Sequence, residues 1–114
     1  MWEVTLRSTV ASAAADGNAL AAWAHRTAER VTGLLESLKV VEVDPIRNEA
    51  LLRSDLPSWQ GDDVAYYEVI LNGAGRASVQ RFRGSRQPGP RRDQILFSLT
   101  REALAKLAGD LVRD

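Results

Sequence analysis

Residues Ala65 to Leu99, AYYEVILNGAGRASVQRFRGSRQPGPRRDQILFSL, decide how this chain folds. Two runs of alternating polarity flank Gly73-Ala74-Gly75, a three-residue hairpin loop if Gly75 takes the left-handed conformation that ends such a turn. Asn72 then lies opposite Arg76, and the ladder follows: Val69 faces Val79, Leu71 faces Ala77, and Tyr67 faces Arg81. On the other surface Tyr66 meets Phe82, Glu68 meets Gln80, and Ile70 meets Ser78. One face is mostly apolar and suits a helix; the other is polar, with two aromatic rings, and suits water or a partner.

Beyond Phe82 the character changes. The segment Gly84 to Asp93, GSRQPGPRRD, holds two prolines and two glycines and is expected to be an irregular connector. Ile95, Phe97 and Leu99 alternate with Gln94, Leu96 and Ser98, which predicts a further strand. Thr100 is placed to cap a final helix, with Leu99 and Leu104 as its hydrophobic staple and Leu104, Leu107, Ala108 and Leu111 as its buried stripe.

Upstream, Trp2, Val4, Leu6 and Val10 predict an opening half-buried strand. From Asn18, with Asp16 as the rival cap, Leu20, Trp23, Ala24, Val31, Leu34, Leu35 and Leu38 recur at spacings of three and four. That stripe leaves His25, Arg26, Glu29, Arg30 and Glu36 on a solvated side. Val40 to Val43 and Ala50 to Arg53 form a second hairpin around Asp44-Pro45-Ile46-Arg47-Asn48, and Ser54 to Asp63 is expected to be a loop carrying Trp59. The expected fold is α+β: a single antiparallel β-sheet of about five to six strands with two helices packed on one face, in the order β-α-β-β-β-β-β-α. All 114 residues make one domain.

Composition narrows the chemistry. With 45% hydrophobic and 26% charged residues the chain has the balance of a globular domain, and the absence of cysteine excludes thiol catalysis, disulfides and thiolate metal sites. No apolar run approaches the roughly 20 residues that span a bilayer, and no secretory leader is evident, so cytoplasmic residence is the default expectation. His25, the one histidine, has no companion at ligand spacing. Asp62 and Asp63 are adjacent loop carboxylates without further ligands, and no phosphate-binding loop or nucleophile and base arrangement is present. A non-enzymatic protein without cofactor or metal is therefore expected.

Charge is unevenly spread although it sums to zero. Residues 1 to 68 carry 6 basic and 11 acidic side chains, against 9 and 4 in the rest. Between Arg76 and Arg92 lie Arg76, Arg81, Arg83, Arg86, Arg91 and Arg92, with no acidic residue. Guanidinium forks match phosphate oxygens, and Tyr66, Phe82 and Trp59 offer rings on which bases stack, so these nine residues are the candidate nucleic-acid-binding set. The same basic patch also suits an acidic protein partner, and arginine outnumbers lysine 13 to 2, as coding composition alone can produce.

The C-terminal half, with RFR ending a strand, a Pro-Gly and arginine connector, ILFSL, and a helix opening at LTREAL, resembles the single-stranded-DNA-binding positive cofactor four family and the related Pur-alpha and Whirly-like proteins. The matching positions are Val79 to Arg83, Gln87 to Arg92, Ile95 to Leu99 and Thr100 to Val112. The preceding strand and helix depart from that pattern, and the lysines of the family's binding face are missing. The resemblance implies single-stranded nucleic acid as the partner and a homodimer formed through the last helix; a sheet edge is the other route to a dimer.

Overall fold

The computed structural model describes residues 3–7, 17–85 and 92–112. Along the chain run β1 (Glu3–Arg7), α1 (Gly17–Arg30), β2 (Leu38–Asp44), β3 (Glu49–Ser54), β4 (Ser58–Gln60), β5 (Asp63–Asn72), β6 (Arg76–Ser85), β7 (Asp93–Ile95) and α2 (Arg101–Leu111). All strand pairs are antiparallel and belong to one open sheet, in the order β1-β6-β5-β3-β2 with β4 beside β5 and β7 beside β6.

The β5–β6 hairpin is the spine. Gly75 has φ 96°, its amide donates to the Asn72 carbonyl at 2.9 Å, and the register runs from Asn72 opposite Arg76 to Asp63 opposite Ser85. Each pair expected from the turn forms as expected. Shorter strands share the outer edges of this hairpin. On β5, β3 pairs with residues 68–72 and β4 with residues 63–65. On β6, β1 takes residues 76–80 and β7 takes residues 81–83.

That sharing explains two departures from the sequence reading. Ile95 to Leu99 does not form a strand as a whole: β7 ends at Ile95, because the next stretch of the β6 edge is occupied by β1. Alternation of burial persists all the same. Phe97 is buried edge-on against Tyr67, with centroids 5.5 Å apart, while Leu96 is exposed. Within Ser54 to Asp63, expected to be loop throughout, Ser58–Gln60 is β4, turning back into β5 through Gly61 at φ 63°. The observed order is therefore β-α-β-β-β-β-β-β-α.

The first helix also ends before its apolar stripe does. Two β-branched residues and a glycine, Val31-Thr32-Gly33, follow Arg30, and each is a poor helix former. Lys106 of α2 donates to the terminal Arg30 carbonyl at 3.1 Å. Val31 and Leu34 still reach the core from an irregular segment and Leu38 from the start of β2, whereas Leu35 stands in solvent.

Both helices cover one side of the sheet, as expected. Leu20, Trp23 and Ala24 of α1 and Leu107 and Leu111 of α2 join Leu52, Val69, Leu71 and Val79 in a single cluster. Trp23 Nε1 donates to the Leu111 carbonyl at 3.3 Å, tying the helices together. Thr100 caps α2 by accepting from the Ala103 amide at 3.0 Å. Among the described residues no helix is long and apolar enough to cross a membrane.

Candidate functional site

Alternation along β5 and β6 sends the odd-numbered side chains toward the helices and the even-numbered ones to the open face. Arg81 falls on the helix side. There its guanidinium donates to both oxygens of Glu36, at 3.1 and 3.2 Å, and lies 4.3 Å from the centroid of the Tyr67 ring. Ser54 and Ser58 donate to the same carboxylate at 2.8 and 2.7 Å. Glu36, placed on a solvated helix face by the sequence pattern, is 7% exposed. The early end of α1 is what turns it inward. Burial raises its carboxyl pKa, and the bonds from Arg81, Ser58 and Ser54 outweigh that, leaving it below the ordinary 4.5.

The open face carries a second charge cluster. Arg92, near the end of the connector, donates to Glu68 at 2.6 and 3.3 Å and to the Tyr66 hydroxyl at 3.2 Å, and it lies 3.9 Å from the Phe82 ring centroid. Arg53 of β3 reaches the same carboxylate through Nε at 2.9 Å and sits 5.9 Å from the Tyr66 ring. Glu68 is pulled below 4.5, since the bonds from Arg92 and Arg53 overcome the upward effect of burial, and the Arg92 pKa is raised in return. Both arginine side chains remain 41% exposed while the Glu68 side chain is 5% exposed. The carboxylate thus holds two half-exposed cations in place.

Beside this cluster a groove of about 490 Å³ runs across β2, β3 and β5. Leu51 and Ile70, cross-strand neighbours, form its half-buried floor. Arg53, Glu68 and Arg92 close one end. Glu42, Asp44 and Glu49 line the other, together with Arg47. Asp44 is 3.9 Å from Arg47 and accepts from the Ile46 and Arg47 amides. Among the described residues no cation pairs with Glu42 or Glu49.

The nine residues singled out in the sequence therefore scatter. Tyr66, Phe82 and Arg92 come together on the open face, although Phe82 is covered by Arg92. Arg81 is withdrawn into the buried pair with Glu36. Arg76 and Arg83 are exposed at opposite ends of β6, seven positions and roughly 23 Å apart. Trp59, half-exposed, shares a hollow of about 400 Å³ with Arg83, Ser58 and Ala65. Arg86 and Arg91 lie outside the described residues. Arg53, Glu68 and the acidic end of the groove were missed as a site. Their signal is the β3–β5 register, which puts Arg53 opposite Glu68, and no hairpin turn sets that pairing. Among the described residues no group of three or more potential ligands is arranged to hold a metal ion.

Comparison of the chain with protein-family models, with curated proteins and with solved structures finds no match.

Proposed function

We propose that this protein is a non-catalytic docking module that takes an extended polypeptide segment in the groove of its open sheet face. The observation that carries this reading is the groove itself, a strip of apolar floor between Glu42 and Glu49, which pair with no cation among the described residues, and arginines fixed by Glu68. Such a mixture suits side chains of both signs flanking an apolar anchor. A polyanion fits it poorly, because each phosphate near Arg53 and Arg92 also meets Glu68 and, farther along, Glu42 and Glu49.

The reading belongs to the protein-interaction class expected beside nucleic acid from sequence, but on a different surface from the basic patch. Pairing at the β2 edge is disfavoured as the docking route: β2, whose outer side pairs with no described strand, carries a bulge between Val40 and Glu42 that interrupts a flat edge.

Random peptides displayed on phage, selected against the full chain and followed by amide chemical-shift mapping, test it. Selected peptides are expected to shift the amides of Glu42, Leu51 and Ile70. Failure to select any peptide overturns the reading. So does salt-sensitive binding of an oligothymidine with shifts confined to Trp59 and Arg83, which supports the nucleic-acid reading instead.

A further inference from the structure

The groove is polarised along β3. Glu49, Leu51 and Arg53 occupy alternate positions on the open face, so a carboxylate, an apolar side chain and a guanidinium follow one another over roughly 13 Å. Neighbouring strands keep the order in part: β2 runs from two carboxylates, Asp44 and Glu42, to Lys39, and β5 places Ile70 midway but Glu68 at the basic end. Beside Glu49 stands Asp44 on β2; beside Leu51 stand Glu42 and Ile70; beside Arg53 stand Lys39 and Glu68. Arg47 also lines the acidic end, where it is 3.9 Å from Asp44 and makes no ion pair with Glu42 or Glu49; along the Glu49 row the first cation is Arg76, two strands away, roughly 10 Å.

At the basic end Glu68 is surrounded by Arg53 and Arg92, two positive charges about one negative. Arg53 spends only its Nε on Glu68. Its Nη1 and Nη2 form no hydrogen bond with a described residue, and a carboxylate accepts two parallel bonds from such a fork. At the acidic end Glu42 and Glu49 pair with no cation among the described residues and can accept from an ammonium or guanidinium.

From this we infer that the groove selects a zwitterionic segment: an extended peptide with a cationic side chain and a carboxylate four residues apart and an apolar residue midway. In an extended chain positions i, i+2 and i+4 share a face at the spacing of Glu49, Leu51 and Arg53, so the match is one strand row against another. The inference rests on the docking reading and adds to it the charge order of the partner.

Three seven-residue peptides, acetylated and amidated, test it by amide-shift titration of the full chain. Each has valine fourth and threonine at the odd positions. The first has lysine second and aspartate sixth, another has lysine at both, and the last has aspartate at both. The zwitterionic peptide is expected to bind about tenfold more tightly than the dilysine peptide, the size of one charge-assisted contact. Arg53→Gln should abolish that preference, weakening the zwitterionic peptide and relieving the repulsion that opposes the dilysine one, while Glu49→Gln weakens both. Equal affinities of the zwitterionic and dilysine peptides for the unmutated chain overturn the charge order and leave docking intact. Absence of groove shifts with all three peptides overturns docking and the charge order together.

Discussion

Arg81 and Glu36, 45 positions apart in sequence, meet beneath the sheet in a two-pronged ion pair at 3.1 and 3.2 Å, with Ser54 and Ser58 completing the carboxylate's shell. The pair joins the α1–β2 segment to β6, and it removes from the surface an arginine that the sequence offered for binding. Taking away one partner strands a buried charge. Glu36→Ala is therefore expected to cost about 3 to 5 kcal/mol in urea unfolding, and Glu36→Leu with Arg81→Met distinctly less than the sum of the two single changes. Additive losses would show that the two side chains act independently.

Acid should weaken the fold through two carboxylates. Folded Glu36 and Glu68 have pKa values below the ordinary 4.5, so each binds its proton less readily in the folded chain than in the unfolded one. Their stabilisation is fully present above 4.5 and is lost as pH falls through the folded values. Urea midpoints measured across that range should decline with acid, and Glu68→Gln should flatten the decline. A pH-independent midpoint below 4.5 would contradict the assignment.

Two turns touch at one end of the sheet. A methyl group at Gly73 would collide with the Asn48 side-chain amide, and the Gly73 amide donates to the Asn48 carbonyl at 2.8 Å. Gly73→Ala is expected to lower stability by about 1 kcal/mol, because the Asn48 amide has to swing aside. Asn48, at φ 58°, occupies a conformation that glycine adopts freely. Asn48→Gly should thus restore most of the loss in the double variant, as judged by thermal melts, and failure to rescue would place the clash elsewhere.

Arg92 is a lid on Phe82 as well as a partner of Glu68. Arg92→Ala should destabilise the chain by about 1 to 3 kcal/mol and open an aromatic surface that binds a hydrophobic dye. Lysine is a poor replacement, because a point charge cannot bond both Glu68 oxygens, reach the Tyr66 hydroxyl and lie flat on the ring at once. Equal stability and dye binding for Arg92→Lys and the unmutated chain would argue against the stacked role.

Much of the fold was legible before the structure. Gly75 set the hairpin register, Thr100 marked the start of α2, and Asp44 to Asn48 marked a turn whose Asp44 carboxylate accepts from the Ile46 and Arg47 amides. Periodicity found the buried side chains even where it misjudged backbone: Leu34 and Phe97 are core residues, although neither lies in the helix or strand expected for it. Burial follows from hydrophobicity alone, whereas helix or strand also needs hydrogen-bond partners, and β1 had already taken those that Phe97 required.

The candidate site was less legible. Tyr66, Phe82 and Arg92 were singled out, but for exposed roles, while the acid-free run from Arg76 to Arg92 hid the fact that its neutralising carboxylates come from elsewhere in the chain. Within its own length the sequence determined turn geometry, cross-strand pairs of the β5–β6 hairpin and the face each side chain takes, because these depend on backbone bonds only a few residues apart. Tertiary structure alone decided that β3 lies beside β5 and that Glu36 reaches Arg81. Those pairings close long loops, whose cost hardly depends on local sequence and is repaid only when the whole sheet assembles.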